Sequence, residues 1–442
     1  MSDFSPMLDL FPLAAAILAA VTCGLLGNHL LLRGESLMGD AISHGVLPGL
    51  VVGFLLTGSR TPQAMLSGAA VAGILTVLLI LLVRRTGRVE PGAAMGVVFS
   101  ILFAIGVILI EVAARQTDLD ADCVLHGQLE TLAWYDAPAL WTEVPAWATV
   151  EAIPRQVWTL LVAFMVSLVF VVALFKELRL VAFDRELAST LGFRPRLIEV
   201  GTMILVALAT VASFEAVGSI LVIAMLVCPA AIARLLTDRM STQVLLSGAI
   251  SLSIAVVGYR AATVLPGWFE RDSVNAAGSM AVTAGLLLVL AVVLAPRHGV
   301  LGRWLGRIRS DRRIAIDDLL ARLWRIEERG DASTSITLGP AASTIVRAAR
   351  RRGLVEHPPG ASSRDCRLTA SGRTEARRIL RRHRLWETYL VDEAGLAPDH
   401  VHDAAELLEH LETTPTGTSS LDPHGKTIPE EDPPEAGDSP GK

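Results

Sequence analysis

The chain has 442 residues, of which 52% are hydrophobic and 19% charged, with a net charge of −5. Several apolar runs approach the ~20 residues that a bilayer-crossing helix needs, which excludes a wholly soluble protein. Cys23 and Cys228 lie in such runs, and the spacing of the 4 cysteines gives neither a disulfide framework nor a CxxC metal knuckle, which excludes a disulfide-built secreted domain.

In chain order, nine segments are predicted to cross the membrane: 11–32, 37–56, 62–83, 92–114, 157–176, 199–214, 217–236, 242–259 and 275–295. Asp3 and Asp9 stand where a cleavable signal would carry basic residues, so the first segment reads as a permanent anchor. Arg84, Arg85 and Arg88, the stretch from Lys176 to Arg196, and Arg234 with Arg239 mark cytoplasmic loops, whereas the acidic loop 115–156 is external. The N-terminus is then outside and everything after Arg297 inside. Small residues within the spans, as in Ser67-Gly68-Ala69-Ala70, predict close packing in one bundle.

Past residue 296 the pattern changes to amphipathic helices at Ile316–Glu328, Ala341–Arg352, Thr374–Val391 and His400–Leu411. The turn residues after Gly353 and the pair Leu368-Thr369 read as a two-stranded wing. Residues 297–384 hold 21 arginines, no lysine and 9 acids; residues 385–442 hold 2 lysines and 14 acids. The last thirty residues, rich in Pro, Gly, Thr, Asp and Glu, are expected to be disordered. The fold class is an all-α membrane bundle followed by a small α(+β) cytoplasmic domain.

The second span contains Gly39-Asp40-Ala41-Ile42-Ser43-His44-Gly45-Val46-Leu47-Pro48-Gly49. An aspartate inside a span is expensive and marks a functional site. Asp40 and His44, four residues apart, share one helix face, and a carboxylate with an imidazole suits Mn²⁺, Fe²⁺ or Zn²⁺. Pro48 lacks the N–H that the His44 carbonyl would accept, a break that lets a helix line a polar cavity. On spacing alone, a buried Asp–His pair holding the bundle together is as good a reading.

The run from Arg33 to His44 resembles the signature of ABC-type permeases for manganese, zinc and iron. Asp184-Arg185-Glu186-Leu187-Ala188 with Leu191-Gly192, Val217 to Leu221 with Cys228-Pro229-Ala230-Ala231, and Asp122 to Gly127 are similar to further family segments. The resemblance covers about residues 10–297. It implies that Asp40 and His44 bind the transported metal, that Pro48 and Pro229 break their helices, and that Asp184, Arg185, Glu186, Leu187, Leu191 and Gly192 dock a cytoplasmic ATP-binding subunit. It also implies an extracytoplasmic metal-binding protein, a second permease, identical or paralogous, and a bacterial cell membrane. The sequence has no GxxxxGK[ST] phosphate loop, so the chain is not expected to be an enzyme, and no covalent cofactor is expected.

The C-terminal part resembles metal-dependent repressors of the diphtheria-toxin-repressor type. Arg382 to Leu390 is similar to their dimerisation helix, His402 to His410 to their metal helix, and Pro423 to Pro429 to the motif that follows. The resemblance implies ligands at His383, Glu387, His402, Glu406, Glu409 and His410. Without it, that stripe reads as a solvated acidic face. Asp317 sits at a first-helix ligand position, but Leu320 replaces the acid one turn on. Only Asp331–Leu338 remains for the helix before the recognition helix. Metal sensing or assembly is therefore expected rather than DNA binding. The arginines at 347–352 suit nucleic-acid phosphates or anionic membrane lipid equally. Domains are expected at 1–297 (permease), 298–412 (a degenerate winged helix 311–372, then a metal-binding and dimerisation part 373–412) and 413–442 (acidic tail). The rival readings are a secondary metal transporter and a membrane-anchored metal-responsive DNA-binding regulator.

Overall fold

The computed structural model describes residues 6–58, 62–114, 127, 129–133, 153–266, 274–296, 298–328, 336–337, 343–357, 365–410, 415 and 420–429. The chain divides into two compact units, Met1–Arg303 and Trp304–Lys442. Most of the acidic loop 115–156 lies outside the described residues.

The first unit is helical throughout its described length: α1 Pro6–Leu32, α2 Met38–Gly45, α3 Leu47–Thr57, α4 Pro62–Gly87, α5 Pro91–Ala114, α6 Arg155–Ala173, α7 Phe175–Phe183, α8 Arg185–Thr190, α9 Pro195–Leu236, α10 Met240–Val264 and α11 Ala276–Leu294. Among the described residues, eight helical stretches are long and apolar enough to cross a membrane. Seven coincide with expected spans. The eighth, α9, joins the sixth and seventh expected spans into one element of 42 residues.

A straight helix of that length would be about 63 Å long, twice the ~30 Å hydrocarbon core. It is not straight. Gly218, with φ 75° and ψ 166°, interrupts it. Before the break, Ser213 reaches Cys23 of α1; after it, Leu226 lies against Gly27, one α1 turn further on. Residues 213 and 226 would be about 20 Å apart in a straight helix, yet they meet points on α1 only about 6 Å apart. The chain therefore turns sharply at Gly218, and the two parts of α9 on either side of it correspond to the sixth and seventh expected segments.

Gly218 occupies a backbone region that is essentially closed to side-chain-bearing residues. The backbone of Gly127 packs directly on Val217 and Gly218, leaving no room for a Cβ there either. Gly218→Ala is expected to destabilise the bundle by about 1–3 kcal/mol. A lowered melting temperature of the detergent-solubilised protein checks this, and an unchanged one would refute the strained turn.

Polar side chains tie the helices where apolar contacts cannot specify register. Buried Asn28 of α1 donates through Nδ2 to the Gly24 carbonyl at 2.7 Å and to Ser247 Oγ of α10 at 2.5 Å, and Gln243 Nε2 donates to its Oδ1 at 3.1 Å.

The second unit contains most of α12 Val300–Glu328, then β1 Ile336–Thr337, α13 Ser343–Arg351, β2 Val355–Glu356, β3 Asp365–Leu368, α14 Ala370–Asp392 and α15 His402–Leu408. The three short strands form an antiparallel sheet in the order β1-β3-β2, with Ile336 opposite Cys366 and Val355 opposite Leu368. Its core joins Ile316, Leu319, Leu320 and Leu323 to Val346, Ala349, Val355, Leu368 and Ile379. The expected wing is present, with a third strand, β1, that the sequence reading did not contain. Apart from β1, the stretch Asp331–Leu338 lies outside the described residues.

Residues 420–429 correct the expectation of a wholly disordered tail. Arg384 Nη1 donates to the Thr427 carbonyl at 2.5 Å and Arg381 Nη1 to the Pro429 carbonyl at 2.6 Å, while Asp422 Oδ1 accepts from the His424 and Lys426 amides. Two arginines of α14 capture this turn, an effect that composition cannot show. The repressor-like domain thus reaches at least Pro429 rather than ending at 412.

Candidate metal centres

Asp40 and His44 lie on α2. Pro48 stands at the start of α3 without an N–H, and the span divides at Val46 into α2 and α3. Asp40 Oδ1 is 3.5 Å from His44 Nε2, and the two side chains are 38% and 34% exposed. The His44 ring meets Phe99 at 5.8 Å and Phe103, edge-on, at 5.4 Å, both on α5. Leu226, about midway between the break at Gly218 and the end of α9 at Leu236, packs against Gly39. That contact packs the start of α2, with Asp40 at the third position of the Met38–Thr57 span, against the second half of α9. A carboxylate this open within a span is not suited to lipid; it belongs against a water-filled path or another polar protein surface. Pro229 is buried inside the second half of α9.

The predicted docking segment, Asp184 to Gly192, forms α8 with its capping residue and the turn after it. Asp184 caps α8 by accepting the Leu187 amide at 2.8 Å, and Gly192, with φ 84°, closes it while the Phe193 amide donates to the Ala188 carbonyl at 3.1 Å. Leu187 and Leu191 are exposed, as are Phe183, Phe193 and Leu197 beside them. Arg185 Nη2 pairs with Glu199 Oε2 at 3.1 Å, and Glu199 Oε1 with Arg33 Nη2 at 3.2 Å. Arg33 Nη2 then pairs with Glu35 Oε1 at 3.2 Å, and Arg84 Nη1 with the same oxygen at 2.5 Å. Glu35 is buried, and its carbonyl accepts the amide of Met38, the first residue of α2. A chain of charge-assisted bonds thus runs from the docking segment to the turn that launches the Asp40 helix. Sequence reasoning included Arg33 and Glu35 only within the signature run and Arg185 only as a docking residue, and missed Glu199 as the partner of both arginines. Near the other end of this bundle, Glu215 pairs with Arg155.

In the second unit, His383 and Glu387 are buried on α14, with Nε2 and Oε1 3.1 Å apart. His402 Nδ1 lies 2.9 Å from Glu387 Oε1 and 3.1 Å from His383 Nε2. His383, Glu387 and His402 form one potential metal-holding group; Asp318, Glu409 and His410 form another, each with its ligand atoms within 4.8 Å of one another. Glu409 lies between them. Its Oε2 is 2.6 Å from His383 Nδ1, and its Oε1 is 3.8 Å from His410 Nε2. His410 Nε2 is 3.4 Å from Asp318 Oδ1 and His410 Nδ1 is 3.7 Å from Asp317 Oδ2.

Glu406, the remaining expected ligand, is exposed and belongs to neither group. α15 is only 7 residues long, so its stripe does not continue regularly to His410. Asp318, which the sequence reading passed over for Asp317, supplies the first-helix carboxylate. Leu320 is fully buried in the core, where an acid would be unpaired. The donor set fits a divalent first-row metal. His383 Nδ1 and Glu409 Oε2 are buried and close but not aligned as a hydrogen bond, as donors converging on a third atom would be.

Burial alone would lower the His383 pKa, but the hydrogen bond to Glu387 and the charges of Glu387 and Glu409 outweigh it and raise it to about 9. Burial would raise Glu387, but His383 and His402 bring it down to about 2. Without metal, the raised histidine stabilises the fold fully below its ordinary value of 6.5 and loses that contribution as pH climbs to about 9. The lowered carboxylate stabilises above its ordinary 4.5 and loses that contribution as pH falls toward about 2. The metal-free second unit is therefore expected to be most stable between these two ordinary values. Melting curves across pH with chelator present check this; a maximum above pH 8 would contradict it.

The profile of the ABC 3 transport family matches residues 10–140 and 148–295, and the iron dependent repressor, metal binding and dimerisation domain matches residues 369–430. The manganese transport system membrane protein MntD of Bacillus subtilis is 37% identical over 300 residues, covering 68% of this chain and 96% of that protein. The zinc transport system membrane protein TroD of Treponema pallidum is 33% identical over 353 residues, covering 77% of this chain and 91% of that protein. Among solved structures, PsaBC from Streptococcus pneumoniae in complex with Fab gives a TM-score of 0.52 at 28% identity, covering 65% of this chain and 92% of the matched chain. With its bundle, its interrupted second span and most of its length matched in this way, the chain belongs to the ABC 3 transport family.

Proposed function

We propose that this chain is the membrane permease subunit of an ATP-driven importer for Mn²⁺, Zn²⁺ or Fe²⁺. The observation that carries the reading is the Asp40–His44 pair: one face, 3.5 Å, half-open, walled by Phe99 and Phe103. A carboxylate and an imidazole replace part of the ion's hydration shell there, and relatives named for manganese and zinc support the class of cargo. The N-terminus is external and the second unit cytoplasmic, by the arginine distribution. An extracytoplasmic metal-binding protein delivers the ion, and a second permease, identical or paralogous, completes the path. ATP hydrolysis resides in separate cytoplasmic subunits. The test is radiometal uptake by vesicles reconstituted with the partner subunits, with competing metals to rank the cargo. Uptake that proceeds without ATP would favour a secondary transporter.

The second unit binds the same metal and adjusts import, with His383, Glu387, His402, Asp318, Glu409 and His410 as ligands. The exposed apolar segment Phe183–Leu197 docks the ATPase. Glu186→Arg with Leu191→Asp places a repulsive charge and a buried-charge penalty on that surface, and is expected to lower co-purification of the ATPase about tenfold. Recovery at wild-type yield would remove the assignment.

A further inference from the structure

The helix α12 has two halves of unlike fate. From Ile316 to Leu323 its apolar residues are buried in the core of the second unit. From Val300 to Ile308 they are not: Val300, Leu301, Trp304, Leu305 and Ile308 are all exposed, Trp304 at 57%. Their spacing of i, i+1, i+4, i+5 and i+8 sets them on one stripe about 140° wide at 100° per residue. Arg307 and Arg309 project at the two edges of that stripe, and Gly302, Gly306 and Ser310 occupy the opposite face. Val300–Arg313 carries five arginines, 303, 307, 309, 312 and 313, against one acid, Asp311.

We propose that Val300–Arg313 is an interfacial helix that lies in the membrane surface and binds anionic lipid headgroups. Three observations converge on that occupant. The last membrane-length helix ends at Leu294, and the connection is short and tied down, with the Gly299 amide donating to the Ala295 carbonyl and the Arg303 amide to the Gly299 carbonyl, both at 3.0 Å. The helix therefore starts where the span ends, at headgroup level. Its apolar arc is wide enough to enter the headgroup–acyl boundary but interrupted too often to cross it, and Trp304 is the residue type that favours that boundary. Arginines at the edges of the stripe can bury their stems beside it while their guanidinium groups reach phosphate. A protein partner would satisfy the apolar stripe but not the excess of arginine unless it were acidic. The lipid surface satisfies both. In this role the helix anchors the start of the metal-binding unit to the membrane and makes its attachment depend on lipid charge. This holds whatever the cargo.

The test uses the full chain in lipid nanodiscs, with and without phosphatidylglycerol, after replacement of the native cysteines. Spin labels are placed singly at Leu301→Cys, Trp304→Cys, Leu305→Cys, Ile308→Cys, Gly306→Cys and Ser310→Cys. With phosphatidylglycerol, the first four are expected to show an oxygen-to-nickel accessibility ratio at least about fivefold above the last two, a pattern with the helical period. Replacing Arg303, Arg307 and Arg309 by Gln is expected to reduce the immersed fraction steeply, at about fivefold in the binding equilibrium per arginine. Equal water exposure at all six positions would overturn the proposal. So would apolar positions shielded from both reagents, which would mean a protein covers them, or immersion indifferent to phosphatidylglycerol.

Discussion

Replacing Asp40 with Asn or His44 with Ala is expected to reduce metal uptake about a hundredfold or more while leaving the protein in the membrane. Loss of an outer-shell partner alone costs a metal site about 10- to 100-fold, and in the proposed site a direct ligand would be removed. In the proposed site the pair would offer two ligand atoms to an ion on the path, so losing either would halve that set. Asn keeps the shape of Asp and removes the charge, which separates the electrostatic contribution from packing. The measurement is initial uptake rate normalised to permease in the membrane. Normal uptake by both well-expressed variants would take the pair off the path and return it to a structural role.

The second large effect belongs to the second unit. Its separate core makes Trp304–Lys442 a reasonable fragment to isolate. With Mn²⁺ or Zn²⁺ at a hundred times its dissociation constant, the fragment should gain about 2.7 kcal/mol, or roughly 10 °C in melting temperature. His402→Ala with His410→Ala removes one donor from each group and should abolish the gain. Metal must displace the proton that His383 holds up to about pH 9, so the gain should grow as pH rises from 6 toward that value. A histidine at its ordinary value of 6.5 would put the loss of affinity near that pH; the two carboxylates around His383 move it upward. Melting that is indifferent to both metals would leave this unit only a structural or dimerising role.

The spans were legible because a bilayer demands long apolar runs, and the run lengths and arginine positions carry that demand directly. The turn at Gly218 was not. Nothing in Val217-Gly218-Ser219 distinguishes a sharp turn from a small-residue contact, and only the packing of Ser213 and Leu226 on one turn of α1 reveals it. In the metal groups, His383 and Glu387 were named through the repressor resemblance; their i, i+4 spacing alone reads equally as a solvated acidic face, and only the fold shows that they are buried. Glu406 was misplaced because a regular helix was assumed where α15 stops at Leu408. Asp318 was missed because its role depends on how α12 faces His410, a tertiary fact. The ion-pair chain through Glu199 joins residues from four separate parts of the sequence, and no local pattern announces such a meeting.

The single-residue turn also constrains how the chain is built into a membrane. Between Glu199 and Arg234 the only charged residue is Glu215, three positions before Gly218. No loop separates the two halves of α9, so neither half can settle while the other waits in water. As one element the two halves are expected to enter the bilayer together, with Glu215 beside the turn between them. Arg155, which pairs with that carboxylate in the folded bundle, lies earlier in the chain and so has already been synthesised when α9 arrives. In that order of synthesis α6 can supply the counter-charge before the two halves of α9 close against it.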